Sequence, residues 1–170
     1  PITTCISRLK TFEGVTNANV AVLENDMRFR IPDCKNNERF LAHEKYIHSL
    51  QTNLEVEIAI WCINTIDIIK HEDNSKWYTV YYEDLVCDPK DILKDTLKGI
   101  KIELPDAIIE QIRFTKPSAS NFLGNLKSSK RKQLESYFDI LNQDDLTRIQ
   151  TIFDYFGLDV YSALSAYPIK

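Results

Sequence analysis

The sequence lacks an apolar run long enough to cross a membrane, and it lacks any block of like charges. No signal-like segment opens the chain, so we expect no membrane span. The formal net charge is −4. Because non-specific binding to the phosphate backbone of nucleic acid needs clustered lysine and arginine, we expect no nucleic-acid partner. With 170 residues, 44% of them hydrophobic and 27% charged, the chain has the composition of one globular domain over residues 1–170.

Cysteine and glycine are scarce, and their spacing bears on two kinds of site. The four cysteines are widely separated and form no C-x-x-C pair, so reduced thiols in a cytoplasmic protein are favoured over disulfides. The four glycines form no phosphate-binding loop, because the GNLKS stretch at 124–128 lacks the required spacing and a preceding strand. His43 and His48 stand in an H-E-x-x-x-H order that turns them to different helical faces, so we expect no metal site.

Apolar residues at helical spacing predict a chain built mainly of helices. Residues 38–71 carry the longest such pattern, and we expect one mostly buried helix there, with Glu38, Glu44, Glu55 and Glu57 on its solvated side. Proline, aspartate, asparagine and glycine mark the ends of other helices. These are expected over 1–12, from Asp88-Pro89 to Gly99, shortly after Pro105, near 130–141, and over 143–156 between Asn142 and Gly157. Alternating residues around 24–26 indicate a hairpin, and 115–132 is typical of a polar, basic loop.

One segment, residues 76–86 (KWYTVYYEDLV), has the composition of a β-strand, since aromatic and β-branched residues dominate it. It precedes a capped helix, which is the order found in α/β proteins with a parallel sheet covered on both faces. A strand needs partners for its N–H and C=O groups, and the sequence contains no other strong strand. We therefore expect the partner strands upstream of Pro1 or in another chain.

Residues 80–89 (VYYEDLVCDP) closely resemble the Tyr-Glu-Asp-Leu…Asp-Pro stretch of sulfotransferases. The order of the surrounding elements is similar too: a tryptophan-containing helix before the motif, and a leucine-rich helix, a loop and terminal helices after it. The resemblance implies an α/β fold with a P-loop nucleotide-kinase-like parallel sheet and flanking helices. The chain would be the C-terminal portion, mostly helical because the N-terminal strands are absent from it.

The implied activity is transfer of a sulfuryl group from 3′-phosphoadenosine 5′-phosphosulfate, a cosubstrate, to a hydroxyl or amine acceptor, with no metal. The acceptor would be a small molecule, a sugar or a lipid. The resemblance places the 5′-phosphosulfate loop and the catalytic base upstream of Pro1, so no catalytic residue is identified in this chain. We expect the chain alone to be inactive. A different class of function stays open, namely a non-catalytic helical interaction domain derived from a sulfotransferase fold.

The resemblance assigns nucleotide-binding roles at three places. Tyr82 matches the family's tyrosine that approaches the adenine, the alternative being a core aromatic residue. Ser7 follows Pro1 as the serine does in the family's Arg-x-Pro-x5-Ser pattern for the 3′-phosphate, with the arginine expected before Pro1. A basic segment before the last helices would close over the nucleotide, unless it is simply a solvated helix start. Its candidates are Lys127, Lys130, Arg131 and Lys132.

Overall fold

The computed structural model describes residues 1–12, 37–71, 75–112 and 130–169, and these residues form nine α-helices and no strand. The helices are α1 (Ile2–Phe12), α2 (Glu38–Leu41), α3 (Glu44–Ser49), α4 (Asn53–Lys70), α5 (Tyr82–Cys87), α6 (Pro89–Gly99), α7 (Asp106–Gln111), α8 (Lys130–Glu135) and α9 (Gln143–Phe156). A 3-10 helix, Ser136–Asp139, follows α8 directly. The mostly helical character that the sequence predicts is therefore observed. The hairpin predicted around 24–26 and most of the predicted loop lie outside the described residues.

The hydrophobic core forms where α4 packs against both α1 and α9. Helices α1 and α9 contribute apolar side chains at spacings of three and four residues, which place them on one helical face. In α4, by contrast, residues 53–59 are all buried. Leu9 of α1, Ile58 of α4 and Phe153 of α9 are almost completely buried. Residues 88–112 contribute almost nothing to this core, since α6 has no buried residue and α7 has only Ile109.

The last helix, α9, has the bounds that the sequence predicts. The side chain of Asn142 accepts a hydrogen bond from the backbone N–H of Asp145 at 2.9 Å, and the Asp145 carboxylate accepts one from the Asn142 N–H at 3.0 Å. This reciprocal pair satisfies two N–H groups that the first turn leaves without helical partners. Gly157 ends the helix with φ of 65°, in the left-handed region that favours glycine. Both predicted ends of α9 are confirmed.

The single long helix predicted over 38–71 is wrong, because three helices occupy that segment. Leu50 takes an extended conformation after α3, with ψ of 148°. Thr52 then starts α4, where its Oγ1 accepts a hydrogen bond from the Glu55 N–H at 3.2 Å. Thr52, a capping residue with extended backbone, therefore begins a new helix. The apolar periodicity of the sequence continues across this break between α3 and α4.

Glu38 and Glu44 are exposed as predicted, but the prediction that Glu55 and Glu57 lie on a solvated helix side is wrong. Their side chains are 6% exposed, and each pairs with an arginine. Arg148 Nε donates to Glu55 Oε1 at 2.8 Å, and Arg8 Nε lies 2.5 Å from Glu57 Oε1. Burial of a carboxylate is costly unless it is paired and hydrogen-bonded. Arg8 of α1 and Arg148 of α9 therefore offset the cost of burying the two carboxylates.

The strand predicted over 76–86 is wrong, because residues 76–81 form no strand and Tyr82 begins α5. Glu83 and Asp84 occupy the first helical turn, where their negative charge complements the helix dipole. Residues 77–81 precede α5 without helical structure and form no sheet with other described residues. High β-propensity alone does not make a strand, since the backbone groups need a neighbouring strand. The predicted parallel sheet is accordingly not observed in the ranges that the structure describes.

Helix α6 begins at Pro89 and ends at Gly99, as predicted, but the reason for the glycine differs. Its φ is not positive; the left-handed residue here is Lys101, with φ of 59°. The ring of Tyr78 lies directly against Gly99, and a Cβ at that position would be 2.3 Å from two ring carbons. A side chain would displace the ring, so the missing side chain rather than backbone freedom explains this glycine.

Burial of ionisable side chains in this core predicts a loss of stability at alkaline pH. Burial raises the pKa of Cys62 from 9.0 to about 12 and that of Tyr46 from 10.0 to about 12, and it also raises the pKa of Cys5. Below pH 9.0 both states hold these protons, so the groups have no effect. Above it the unfolded chain releases protons that the native chain retains, and the free energy of unfolding falls up to about pH 12.

Urea unfolding followed by circular dichroism at pH values on both sides of this onset measures the effect. We expect Cys62→Ala to remove up to about 1.4 kcal/mol of the decline per pH unit, since it deletes one titrating group. A free energy of unfolding that stays constant from neutral pH to pH 11 would contradict the packing of α1 on α4, because pH 11 lies above the onset by about two units.

Candidate functional site

The structure brings the first turns of α1 and α5 together. The Pro1 nitrogen lies 3.8 Å from Oε1 of Glu83, the residue that follows Tyr82. Glu83 is 6% exposed, and its Oε2 accepts a hydrogen bond from the Tyr161 hydroxyl at 3.1 Å. Burial, and secondly the Glu83 carboxylate, raise the pKa of Tyr161, so its hydroxyl stays protonated and donates. The two motifs that the resemblance singles out therefore begin beside each other.

Tyr82 is a surface residue and not a core aromatic. It is the first residue of α5, and 57% of it is exposed. Its neighbour Tyr81 instead points toward the core, with its ring centroid 6.1 Å from that of Tyr161 in an edge-to-face arrangement. An exposed phenol at a helix start presents an aromatic face and a hydroxyl to solvent, which are the two features that recognise a base.

Ser7 lies on the face of α1 that is turned toward α8. Thr3, one turn earlier on the same helical face, donates its hydroxyl hydrogen to the Leu134 carbonyl oxygen of α8 at 2.9 Å. Ser7 is partly exposed, and Lys10 continues the same face. Burial lowers the pKa of Lys10 from its ordinary value. This side of α1 thus carries a hydroxyl and an amine beside α8.

Helix α8 connects the predicted sites, because it packs against both α1 and α5. Two of the four basic candidates, Arg131 and Lys132, are exposed on it. Lys127 and the side chain of Lys130 lie outside the described residues. A hydroxyl, an aromatic ring and two cations on three adjoining helices are groups of the kind that bind a nucleotide phosphate and its base.

Sequence reasoning missed an open cleft of about 450 Å³ beside the Tyr82 motif. Residues 78–81 form one wall, with Asp84 of α5, Ile92 and Asp95 of α6, and Val160 and Ile169 of the C-terminal segment. Thr79 lines the cleft, and its Oγ1 is buried with no hydrogen-bond partner among the described residues. The alternating aromatic pattern marked segment 78–81 as a strand and held no signal for a cleft.

His43 Nδ1 lies 3.1 Å from the Tyr155 hydroxyl, so this histidine belongs to an aromatic cluster with Tyr46 and Phe156. No group of three or more histidine, cysteine, aspartate or glutamate residues is placed to hold a metal ion in the described part of the chain. None of the helices described has both the length and the apolar character that crossing a membrane requires.

Comparison with models of protein families, with curated proteins and with solved structures finds no match.

Proposed function

We propose that the chain forms part of the donor pocket of a sulfotransferase, which moves a sulfuryl group from 3′-phosphoadenosine 5′-phosphosulfate to a hydroxyl or amine acceptor. One observation carries this proposal: α8 adjoins both α1 and α5, so the segments of Ser7, Tyr82 and the basic residues are neighbours. The similarity of residues 80–89 to the family motif is the second support. A P-loop-like parallel sheet completed by further strands and a cytoplasmic location belong to the same proposal.

Each residue has a physical role in this pocket. The exposed Tyr82 ring stacks on the adenine and its hydroxyl offers a hydrogen bond. Ser7 donates to the 3′-phosphate, while Arg131 and Lys132 supply charge-assisted hydrogen bonds to phosphate oxygens. In sulfuryl transfer, negative charge develops on the bridging and equatorial oxygens, and positioned cations stabilise it. The base that activates the acceptor is not assigned to any residue of this chain.

Titration of the chain with adenosine 3′,5′-bisphosphate by calorimetry tests the pocket. Binding is expected, with a rise in melting temperature because the ligand binds the native state. We expect Tyr82→Ala to weaken binding by about 30-fold, corresponding to about 2 kcal/mol for one base–aromatic stack. Tyr82→Phe keeps the ring and should weaken it much less. Ser7→Ala should cost about 1 kcal/mol.

Thr151→Ala is the matched control for Ser7→Ala, since Thr151 is an exposed hydroxyl on α9 that donates only within its own helix. It should leave binding unchanged. Equal affinities of wild type, Tyr82→Ala and Ser7→Ala would show that the ligand binds elsewhere. No binding at millimolar ligand would refute the donor pocket itself.

The second candidate, a helical interaction domain, is favoured by exposed apolar side chains outside the core. These side chains are each at least 40% exposed, and they are Trp77, Tyr78, Ile100, Ile102, Leu104 and Ile108. Exposed apolar surface of this extent on one part of a chain marks an interaction surface. This function would be favoured over the first by two results together. In sedimentation velocity the molar mass would rise with protein concentration, and in calorimetry the bisphosphate would not bind.

A further inference from the structure

We propose that the cleft beside residues 78–81 binds a ligand that carries a positively charged amine next to an aromatic or apolar group. This site is separate from the donor pocket, because the cleft is lined by Tyr81 and Asp84 whereas Tyr82 does not line it. Its volume of about 450 Å³ suits a small molecule, since ligand sites in proteins range from about 300 to 1,000 Å³.

The charge of the lining selects a cation. Asp84 and Asp95 are the two charged residues among the described residues that line the cleft, and both are acidic. Asp84 already takes part in other interactions, but a carboxylate accepts several hydrogen bonds at once and can receive a ligand N–H as well. Two carboxylates repel a nucleotide phosphate and attract an ammonium group. The anionic donor is therefore not the occupant.

The remaining lining suits the rest of such a ligand. Tyr78, which is 45% exposed, offers an aromatic ring, which attracts a cation over its face and packs against apolar groups. Val160 and Ile169 contribute an apolar wall from the C-terminal segment. Aromatic rings combined with carboxylates are the chemistry that recognises an organic ammonium ion rather than a metal ion.

Thr79 provides an independent indication of a ligand. Its Oγ1 is buried and has no hydrogen-bond partner within the described ranges, although buried hydroxyl groups in native proteins are almost always paired. Thr79 lines this same cleft, so a change of its side-chain rotamer on binding would turn the hydroxyl toward the ligand. An amine N–H donated to Thr79 Oγ1 would satisfy it.

The test uses three probes that share a phenyl ring and differ in charge: 2-phenylethylamine, 2-phenylethanol and 3-phenylpropanoate. Each is titrated into the ¹⁵N-labelled chain at neutral pH, and amide shifts are followed by NMR. The amine is expected to bind in the millimolar range and to shift residues 78–81, Asp84 and Asp95. The alcohol should bind about tenfold more weakly, as loss of one charge-assisted interaction predicts, and the carboxylate should not bind.

Asp95→Asn is the decisive variant, because Asp95 is exposed and asparagine keeps its shape. This substitution should weaken binding of the amine about tenfold and leave binding of the alcohol unchanged. Asp91→Asn removes the same charge one turn earlier on α6, outside the lining, and is the matched control. The proposal would be overturned if the amine does not bind detectably, or if the amine and the carboxylate bind equally. It would also be overturned if the two variants have equal effects, or if the shifts are confined to other surfaces. Loss of bisphosphate binding would not, since the donor pocket is a different site.

Discussion

Replacing Phe153 by alanine is expected to lower the free energy of unfolding by about 4 kcal/mol, the largest effect that we predict for a single residue. Phe153 is 0% exposed and lies near the C-terminal end of α9, the helix that packs against α4. Truncation removes apolar contacts on both helices and leaves a cavity that the surroundings fill only partly. A loss of this size is a large fraction of the 5–15 kcal/mol that stabilises a typical domain.

Urea unfolding measured by circular dichroism compares this variant with Tyr155→Ala, two residues later on the same helix. Tyr155 is 46% exposed and stacks on Tyr46 with ring centroids 3.6 Å apart, so its loss should cost only about 1 kcal/mol. If Phe153→Ala fails to fold, Phe153→Leu should fold with a loss below about 1.5 kcal/mol. Similar costs for Phe153→Ala and Tyr155→Ala would show that α9 does not bury this face.

Replacing Arg148 by methionine should lower the free energy of unfolding by about 3 kcal/mol. Arg148 joins the first turns of two helices, since its Nε donates to Glu55 of α4 at 2.8 Å and its Nη2 to Asp145 of α9 at 2.5 Å. The two carboxylates are 6% and 9% exposed, and without the arginine both would stay buried with no cation. The cost follows from this uncompensated charge rather than from the ion pair itself.

Two comparisons isolate that cause. Lys94→Met removes the cation of an exposed ion pair with Asp106, whose nitrogen and oxygen are 3.3 Å apart, and should cost less than about 1 kcal/mol. Adding Glu55→Gln to Arg148→Met should recover part of the stability, because one buried charge is then gone. A double variant less stable than Arg148→Met, or equal losses for Arg148→Met and Lys94→Met, would contradict the buried network.

Local signals predicted the helix ends well. Asn142 and Gly157 bound α9 as expected, and Pro89 starts α6. These signals work because a cap is made by groups within about four residues of one another, so that no distant part of the chain is needed. Gly99 shows the limit, since it lacks the left-handed conformation that helix-ending glycines often take, and the ring of Tyr78 explains its small size.

Part of the candidate site followed from the sequence and part did not. Ser7 and Tyr82 were singled out by resemblance, and their nucleotide roles stay predictions together with that of Lys127, which lies outside the described residues. The acidic cleft was not predicted, because it forms between segments that are far apart in sequence, from Tyr78 to Ile169. No local pattern of residue types reports which distant segments will line a common space.

By itself the sequence determined a mostly helical chain, the caps of α9 and the apolar faces that α1, α4 and α9 bury. Only the tertiary structure decided that Glu55 is buried, since its partner Arg148 is 93 positions away. It also decided that Tyr82 begins a helix, because a segment of high β-propensity becomes a strand only where another strand pairs with its backbone. Local hydrogen bonds and periodicity can be read from neighbouring residues, whereas burial and strand pairing depend on groups that folding brings together from elsewhere in the chain.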